Sequence, residues 1–389
     1  MAKILLGLTG SVAVYKSLNV IRLLERRGHE VKVILTSSAS KFITPLMAKS
    51  LMKGELFTDE DFWTSGKSLH IELAKWADEI AIVPCTSNTL SKIRYSIADN
   101  LLTATLQAYK GPILVAPAMH EEMWLNPEVQ DVVQHLREFR GVFFSGPARG
   151  ILASGETGCG RLQSEEFIAE DIEAVLRGLP LKNVTVMVTY GRTEEPIDPV
   201  RVITNRSSGL MGYYLSKAVM EYGGNLIQVV GETSIIPYGR GEIVKVRTAR
   251  EMFDVVSDQL DKVKVLIMAA AVSDFEPQEK YEAKLKKGKD LMISFKPTVD
   301  ILHELSGSKR GGQLFVGFAL ETENLERNAR EKLENKKLDL IVGNFATAMG
   351  SERSSGFLLD RDGVIEKFDE LHKDQLAHKI IEKVVSLLK

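Results

Sequence analysis

A repeated alternation between short apolar runs and longer amphipathic stretches constrains this fold more than any other feature. Strands that alternate with helices connect in parallel, because each crossover helix returns the chain to the same end of the sheet. The pattern therefore predicts a parallel sheet with helices on both faces. In the first half, apolar runs fall at 3–8, 30–36, 79–84, 112–117 and 141–146, and helical patterns include 12–27 and 127–139.

The second half repeats this alternation. The segment 176–183 between the halves holds Gly178 and Pro180 and is the expected joint. A chain of 389 residues is long enough for two domains with separate cores. We therefore predict two α/β domains, 1–179 and 180–389, with one large sheet as the alternative. Apolar runs of the second half fall at 184–190, 226–230, 243–246, 264–270, 314–318, 338–343 and 356–360, and helical patterns at 210–222, 248–261, 322–335 and 372–388.

Composition excludes several classes of partner. The formal net charge of -2 gives no reason to expect binding to nucleic acid or to an anionic membrane surface. No run approaches the ~18–20 apolar residues of a membrane span, and the first apolar run is too short for a signal peptide. The only cysteines, Cys85 and Cys159, form no disulfide framework or metal cluster pattern. We therefore expect a soluble cytoplasmic protein.

The loop after the apolar run 182–190 carries an unusual concentration of polar groups. It holds three arginines, together with Asn205, Ser207 and Ser208, before the chain enters a helix through Gly209 and Gly212. Small residues let the backbone approach a ligand closely, and free N–H groups at a helix start bind anions. The loop therefore indicates a site for a phosphate or carboxylate. The arginines are Arg192, Arg201 and Arg206.

Hydroxyl groups follow the apolar runs of the first half. The first unit carries Gly7 and Gly10 without the G-x-G-x-x-G pattern, and the second run ends in Thr36, Ser37 and Ser38 where a dinucleotide fold places an acid. The segment PCTSNT, 84–89, adds further hydroxyls. Each of these is most simply a helix cap. Together they favour a cofactor phosphate at the carboxyl edge of the sheet.

These stretches carry a resemblance to two enzyme families. Residues 188–212 are similar to the signature of phosphopantothenate–cysteine ligase. Over nearly its full length the chain resembles the fusion of that ligase with flavin-dependent phosphopantothenoylcysteine decarboxylase, a coenzyme A biosynthesis family. The decarboxylase-like segments are GLTGSVAVYK (7–16), HIELAKWAD (70–78), PCTSNT (84–89), ADNLL (98–102), APAMHEEMW (116–124) and ASGETGCGRL (153–162).

For the first domain, 1–179, the resemblance implies a flavodoxin-like fold of the HFCD flavoprotein type, with FMN as cofactor. It makes His70 the candidate base or orienter. His120 stands where the family has an asparagine that holds the substrate carboxylate, and Ser154 replaces the usual flap cysteine. Cys159, in the same glycine-rich flap, becomes the candidate proton donor, and Cys85 is expected to pack near the flavin. The implied FMN-binding residues are Gly10, Ser11, Ser37, Thr86, Ser87, Asn88, Thr89 and Met119.

For the second domain, 180–389, the resemblance implies a Rossmann-like ligase that uses CTP and Mg²⁺ and forms an acyl-cytidylate. Asn205 would carry this intermediate to product, and Lys284, in the run 284–287, would stabilise the transferring phosphoryl group. A solvated turn is the alternative for that run, and a surface stripe is the alternative for Lys332 and Lys336. The implied substrate-binding residues are His120, Arg206, Ala269, Ala270, Asp274, Lys284, Thr298, Val299, Asp300, Ile301, Phe318, Lys332 and Lys336.

The resemblance also implies partners. The substrates would be 4'-phosphopantothenate, cysteine and CTP, and the final product 4'-phosphopantetheine. Trimers formed by the decarboxylase half and dimers formed by the ligase half predict a homo-oligomer, with a dodecamer as the expected state. The metal ligands stay unassigned.

Two alternative functions remain at this point. One is an active ligase whose first half is a flavin-binding oligomerisation scaffold without decarboxylase activity, as the changes at His120 and Ser154 suggest. The other is a nicotinamide-binding regulatory protein or oxidoreductase. The absence of G-x-G-x-x-G and of an acid after the second strand argues against this second alternative.

Overall fold

The two halves of the chain form two compact units, Met1–Gly178 and Leu179–Lys389. The structure is a computed structural model that describes residues 1–65, 68–139, 141–286, 292–321, 325–345 and 351–389. The division between the units falls inside the expected joint, 176–183. Each unit has its own main sheet, so the alternative of one large sheet is wrong.

The first unit is built on a parallel sheet of six strands in the order β3-β2-β1-β4-β5-β6. Every neighbouring pair in this sheet is parallel, as the alternation predicts. The strands of this unit are β1 (Lys3–Leu8), β2 (Glu30–Leu35), β3 (Leu56–Thr58), β4 (Glu79–Cys85), β5 (Ile113–Pro117), β6 (Val142–Phe144), β7 (Ala148–Ile151) and β8 (Thr157–Arg161).

Helices cover the faces of this sheet and bury its central strands. Every residue of β4 is buried, as expected for a central strand with helices on both sides. Gly28, with φ of 88°, follows the first helix and ends it as the sequence predicts. The helices are α1 (Val14–Arg26), α2 (Pro45–Leu51), α3 (Asp61–Thr64), α4 (Leu69–Trp76), α5 (Ser87–Tyr95), α6 (Leu101–Ala108), α7 (Glu121–Trp124), α8 (Pro127–Phe139) and α9 (Glu165–Leu176).

The glycine-rich flap is an antiparallel hairpin of β7 and β8 rather than an irregular loop. Glycines in β8 make this pairing fit closely against the neighbouring segment. A Cβ on Gly160 would lie 2.2 Å from the backbone oxygen of Met119, and one on Gly158 would lie 2.8 Å from a carboxylate oxygen of Glu121. The glycines therefore let the hairpin pack directly on the chain that follows β5.

The second unit has a main sheet of eight strands in the order β13-β12-β9-β14-β17-β18-β19-β20. Its first six strands pair in parallel, which gives the predicted Rossmann-like arrangement. The strands are β9 (Thr185–Tyr190), β10 (Glu194–Pro196), β11 (Val202–Thr204), β12 (Asn225–Val230), β13 (Glu242–Lys245), β14 (Val265–Met268), β15 (Phe275–Pro277), β16 (Phe295–Pro297), β17 (Leu314–Glu321), β18 (Leu340–Phe345), β19 (Arg353–Asp360) and β20 (Gly363–His372).

The last two strands of this sheet, β19 and β20, are antiparallel to their neighbours. Strand β20 was not predicted, because its sequence GVIEKFDELH carries charged residues between the apolar ones. A turn of two residues joins it to β19, and so short a connection can only make an antiparallel pair. The helices of this unit are α10 (Leu210–Glu221), α11 (Ala249–Gln259), α12 (Ile301–Ser306), α13 (Leu325–Asn335) and α14 (Lys373–Leu387).

Two small antiparallel ribbons, β10 with β11 and β15 with β16, complete the second unit and were also not predicted. Their three-residue strands are too short for a recognisable period of apolar residues. Among the described helices, none is both long and apolar enough to cross a membrane.

Candidate functional site

The strand order of the first unit places a crevice between the carboxyl ends of β1 and β4. The chain runs from β1 outward to β2 on one side, while β4 lies on the other, which is the switch point where parallel α/β sheets bind ligands. Hydrogen bonds join the two loops at this point. The Thr9 hydroxyl donates to the Pro84 carbonyl at 2.7 Å, and the Thr86 amide donates to the Thr9 hydroxyl oxygen at 3.2 Å.

A cavity of about 650 Å³ lies at this crevice. The flap contributes Leu152 and Ser154 to its wall, and Met123 adds a further apolar side chain. Of the residues predicted for this half, the cavity brings together Gly10, Ser11, Thr86, Ser87, Met119 and His120.

The chemistry of the cavity suits a ligand with a phosphate and a flat apolar part. Helix α1 begins beside it after Ala13, which provides no side-chain cap, and α5 begins after Thr86. Amide groups at two helix starts, together with the Ser11 and Ser87 hydroxyls, favour an anion. The thioether and aliphatic side chains of Met119 and Leu152 provide apolar surface for a ring.

Three predicted cofactor residues of this half do not line the cavity. The Ser37 amide and hydroxyl both donate to the Asp59 carboxylate at 2.7 Å. Both donors at this strand end are therefore already used within the chain. Thr89 is buried, and its amide donates to the Thr86 hydroxyl as part of the helix cap. Asn88 is exposed on α5. The structure therefore does not support a third hydroxyl-rich strand end at the cofactor site.

His70 lies on α4 outside this cavity. Its ring meets the Phe62 ring edge to face at 5.5 Å between centroids. The Nδ1 atom of His70 is buried and has no hydrogen-bond partner in the described part of the chain. A buried ring nitrogen without a partner is costly in a finished structure. In the described part of the chain, Nδ1 of the candidate base thus has no hydrogen-bond partner.

The structure also separates Cys159 from the cavity. In β8 its neighbours Gly160 and Arg161 line the cavity, whereas Cys159 does not. The Cys159 side chain packs instead against the apolar core of the unit. Cys85 is fully buried in the same core, and burial raises the pKa of its thiol.

Ser154 takes the position that was expected for Cys159. It lines the cavity together with His120. Its hydroxyl lies 3.4 Å from the Glu156 carboxylate, and the His120 Nε2 atom lies 3.2 Å from the same carboxylate. The flap therefore brings a hydroxyl, an imidazole and a carboxylate together at the cavity.

The second unit repeats this arrangement at the carboxyl ends of β9 and β14. Strands β12 and β13 lie on one side of β9, and β14 and β17 lie on the other, so this crevice is again a switch point. A cavity of about 660 Å³ opens there. Of the residues predicted for this half, it brings together Asn205, Ala269, Ala270, Asp274, Thr298, Val299, Asp300, Ile301, Phe318, Lys332 and Lys336.

Asn205 connects the two loops that form the entrance to this crevice. Its side-chain nitrogen lies 3.2 Å from the Ala271 carbonyl and 3.0 Å from the Val272 carbonyl. Arg192 also fixes this loop, because its guanidinium donates to the Ser207 carbonyl at 3.1 Å. The polar loop after β9 is therefore fixed against the loop after β14.

Two lysines on α13 line another wall of the cavity. Lys332 donates to the Phe318 carbonyl at 2.7 Å, and Lys336 lies 2.7 Å from the nearer carboxylate oxygen of Asp300. Burial of Asp300 favours its neutral form, but the hydrogen bond from Lys336 and the amide of His303 outweigh this and hold its pKa below the usual range. The surface-stripe alternative for these lysines therefore does not hold.

Lys284 and Arg206 are predicted residues that do not line this cavity. Both side chains are exposed. The segment of Lys284 is tethered at the next residue, because the Leu285 amide donates to the Asp198 carboxylate at 3.0 Å. Hydrogen bonds from the amides of Val200, Leu285 and Arg201 outweigh the effect of burial and lower the pKa of Asp198 to about 2. Lys287 and Thr322, the ends of two predicted motifs, lie outside the described residues.

Comparisons with known proteins agree with this division. Residues 1–177 match the family described as Flavoprotein, and residues 181–388 match the DNA/pantothenate metabolism flavoprotein C-terminal domain. The chain is 39% identical over 401 residues to the Coenzyme A biosynthesis bifunctional protein CoaBC of Bacillus subtilis (strain 168), covering 99% of this chain and 97% of that protein. The chain belongs to this family.

Further relatives are similar over the same span. The protein of the same name from Borreliella burgdorferi (strain ATCC 35210 / DSM 4680 / CIP 102532 / B31) is 34% identical over 386 residues, covering 97% of this chain and 98% of that protein. A crystal structure of the C-terminal domain of a CoaBC protein is 33% identical and covers 54% of this chain and 97% of its own, with a TM-score of 0.47.

The predicted family and fold class are therefore confirmed, and so is a bifunctional enzyme of coenzyme A biosynthesis. Membership of the flavoprotein family also removes the nicotinamide-binding alternative. Within the described residues, no group of three His, Cys, Asp or Glu side chains is arranged as a metal site.

Among the polar residues of the second cavity, Asn344 and Lys373 lie outside every motif that the sequence marks. Asn344 lies on β18 and accepts a hydrogen bond from the Ser354 hydroxyl at 3.0 Å. Lys373 is the first residue of α14. Neither belongs to a glycine-rich or repeated motif, so no local signal marks them; only the order of the strands brings them to the crevice.

Proposed function

We propose that the chain catalyses two consecutive reactions. Its second unit joins cysteine to 4'-phosphopantothenate with CTP through an acyl-cytidylate, and its first unit decarboxylates the product to 4'-phosphopantetheine with FMN. The observation that carries this proposal is the second cavity, which gathers nearly every residue implied by the ligase resemblance at one switch point. Membership of a bifunctional family supports the pairing of the two activities.

In the ligase reaction, negative charge develops on phosphate oxygens and must meet fixed donors. The amino end of α10 and the Ser207 loop provide amide donors at the cavity. We assign the Asp300–Lys336 pair and Lys332 to nucleotide binding, and Asp274 to the position beside the nucleotide. Mg²⁺ would enter with the nucleotide, since this ion is usually bound through substrate phosphates and few protein groups.

Asn205 and Lys284 carry the chemical roles in this proposal. Asn205 lies at the cavity with its amide nitrogen fixed by two carbonyls, which leaves its side-chain oxygen to orient the acyl-cytidylate or the attacking amine. Lys284 stabilises the transferring phosphoryl group. Its side chain is exposed, on a segment that the Leu285 amide tethers to Asp198.

The first cavity fits FMN by the chemistry of its donors. The amide groups at the starts of α1 and α5, with Ser11, Thr86 and Ser87, would hold the phosphate, and Met119 and Leu152 would contact the ring. The flavin, when bound, supplies the electron sink that decarboxylation of a cysteine amide requires. His120 would hold the substrate carboxylate, because its ring lies on the cavity wall and carries an N–H donor.

His70 is the proposed base, and Cys159 and Ser154 are the two candidates for the final proton donor. Cys159 has the more acidic group, whereas Ser154 has the position on the cavity wall. Neither His70 nor Cys159 lines the cavity of one chain, so we propose that the site is completed in a homo-oligomer, with a dodecamer as the expected state. We place this enzyme in the cytoplasm, where its thiols stay reduced.

A second candidate function keeps the ligase and makes the first unit a flavin-binding scaffold. The observation that favours it is the replacement of the amide and thiol of the common motifs by His120 and Ser154, both on the cavity wall. The two candidates differ only in whether the ligated product loses carbon dioxide.

One experiment separates the candidates. The full chain is incubated with 4'-phosphopantothenate, cysteine, CTP and Mg²⁺, and the products are identified by mass. We expect 4'-phosphopantetheine, carbon dioxide and a purified protein with the absorbance of oxidised flavin. Accumulation of the dipeptide-like ligated product would support the scaffold alternative. Absence of any product with CTP or with ATP would contradict the ligase proposal itself.

A further inference from the structure

The cavity of the second unit contains a buried lysine that no sequence motif marks. Lys373 lies on the wall of this cavity with only 7% of its surface exposed. Its backbone amide donates to the Glu352 carbonyl at 2.9 Å, so the start of α14 is fixed to the segment before β19. Fully enclosed lysines are rare in folded proteins, because burial of an ammonium group must be compensated.

Helix α14 places this lysine beside the first turns of α10. The two helices pack side by side and run in the same direction. The Tyr214 and His372 rings lie 5.5 Å apart, the Lys217 ammonium lies 3.1 Å from the Asp374 carboxylate, and further along the Tyr222 hydroxyl lies 3.0 Å from Glu382. The amino ends of both helices therefore face the same region of the unit.

The amino end of α10 is the part of this cavity best suited to an anion. The helix begins after Gly209, which has φ of 85° and provides no side-chain cap. Ser207 and Met211, on either side of this start, line the cavity. Gly212 lets the helix lie close to β9, since a Cβ there would come within 2.0 Å of the Tyr190 side chain. Amide groups of the first turn therefore face the crevice with the positive end of the helix dipole.

The charges of the cavity are distributed over two walls. Lys332 and Lys336 lie on α13, where they interact with the Phe318 carbonyl and Asp300. Lys373 lies on the wall made by α10 and α14. Burial lowers the pKa of Lys373. A phosphate oxygen beside this side chain would accept a charge-assisted hydrogen bond and favour the charged form.

We propose that Lys373 binds a phosphate group of the nucleotide at the amino end of α10. This inference rests on the proposed CTP-dependent ligase function and adds one binding residue to it. The ammonium group and the first-turn amides of α10 would contact the same phosphate from two sides. Nucleotide binding would then use both cationic walls of the cavity, with the α13 lysines at one wall and Lys373 at the other.

The test uses the full-length protein and inorganic pyrophosphate with Mg²⁺ as the probe. Lys373→Met removes the charge and keeps the length of the side chain, and Lys379→Met on the same helix, outside the cavity wall, is the matched control. We expect the Kd for pyrophosphate, measured by calorimetry, to rise about 10- to 100-fold in Lys373→Met, as for the loss of one charge-assisted hydrogen bond. The control should bind like the wild type.

Steady-state kinetics give a readout that a purely structural role would not produce. In Lys373→Met the KM for CTP should rise while the KM for cysteine stays unchanged, and Lys373→Arg should recover most of the lost pyrophosphate affinity because it restores the charge. If the methionine variant does not fold, Lys373→Gln repeats the measurement with a polar, uncharged side chain. Circular dichroism of each variant checks the fold.

The outcomes distinguish this inference from the proposed function. A wild type that forms no ligated product overturns the proposed ligase function. An active wild type that binds no pyrophosphate, or an active Lys373→Met with unchanged pyrophosphate Kd and CTP KM, overturns only the assignment of Lys373. Equal weakening in Lys373→Met and Lys379→Met also overturns it, because the effect would then come from the helix and not from the cavity.

Discussion

The two cavities of this chain occupy equivalent places in their sheets but differ in how complete they are. The ligase cavity, in the second unit, gathers every residue predicted for that unit except Arg206 and Lys284, and Lys332, Lys336 and Asp300 have partners within the unit. The flavin cavity, in the first unit, gathers only part of the predicted set and leaves five residues elsewhere, namely His70, Cys159, Ser37, Asn88 and Thr89. One cavity is thus nearly finished by a single chain, whereas the other is not.

The surface around the flavin cavity carries exposed apolar side chains that a second chain could cover. Four large apolar side chains that line it are also strongly exposed, namely Val12 at 54%, Tyr15 at 56%, Met123 at 48% and Ile151 at 69%. A cluster of exposed apolar groups at a binding site is typical of a surface that another chain covers. The contrast therefore supports the proposed oligomer, in which a second copy closes the flavin site.

The largest expected effect concerns the ligase cavity. Asn205→Ala and Lys284→Gln should each reduce ligated product by about 10²- to 10³-fold, since removal of one preorganised group at a site of developing charge has that cost. Both variants should still decarboxylate supplied phosphopantothenoylcysteine. The measurement is single-turnover product formation with each substrate.

The matched control for the lysine is Lys280→Gln, an exposed lysine whose partner is Glu276. It should keep wild-type turnover. Unchanged ligation in Lys284→Gln would show that the tethered, exposed position of this lysine is its functional state and that it takes no part in phosphoryl transfer.

The next effect concerns the incomplete cavity. His70→Asn should lower the decarboxylation rate by about 10²-fold or more, as expected for the loss of a general base, while ligation continues. The measurement is release of carbon dioxide from supplied phosphopantothenoylcysteine. Light scattering of the same sample should show a closed oligomer. An active monomer at micromolar concentration would contradict the proposal that the flavin site is incomplete in one chain, because the site would then need no second copy.

A smaller effect separates the two candidate proton donors. If Cys159 is the donor, Cys159→Ser should bind FMN and release carbon dioxide but accumulate reduced flavin and an unprotonated enethiol product. If Ser154 is the donor, because it lies on the cavity wall, Ser154→Ala should accumulate reduced flavin and the unprotonated product, and Cys159→Ser should turn over normally. Flavin absorbance and product mass in a single turnover distinguish them, with Cys85→Ser as the control. Normal turnover in both variants would assign the proton to His120 or water.

The smallest expected effect concerns stability away from either cavity. Glu79 is fully buried at the start of β4, and its carboxylate oxygens have no partner within the described residues. Burial, and then the charge of Asp171, raise its pKa well above the ordinary value of 4.5. The folded chain therefore keeps the proton that the unfolded chain releases. Its stabilising contribution is complete below the ordinary pKa and is lost as the pH rises towards the folded pKa.

Glu79→Gln should remove this loss. The variant should become more stable relative to the wild type from pH 5 to pH 8, by at most ~1.4 kcal/mol per pH unit in free energy of unfolding. Thermal unfolding at each pH should show this as a growing difference in Tm. The exposed Glu30→Gln is the control, and neither activity should change. A constant difference in Tm across this range would show that Glu79 is ionised in the folded protein.

Much of the fold follows from local patterns. The parallel strands were predicted because apolar runs such as those of β4 and β14 are buried on both faces, which leaves a long enough signal in the sequence. The strands that were missed are short, as in β10 and β15, or half charged, as in β20. In these strands, pairing with a neighbour provides the stability that their own composition does not indicate.

The candidate sites divide in the same way. Residues in short motifs of small and polar residues after strands, such as Ser11, Thr86 and Asn205, were predicted because backbone geometry and binding depend there on the same few residues. Lys373 and Asn344 could not be predicted, since they reach the cavity only through the position of α14 and β18 in the sheet.

The sequence by itself determined the family, the α/β class and most of the strand ends at which the cavities lie, because these depend on periodicity and on motifs of adjacent residues. Only the tertiary structure decided which side chains face a cavity. In β8, Cys159 packs against the core while Gly160 and Arg161 line the cavity, and the Ser37 hydroxyl donates to the Asp59 carboxylate. Such choices depend on contacts between residues far apart in the chain, and no local pattern records them.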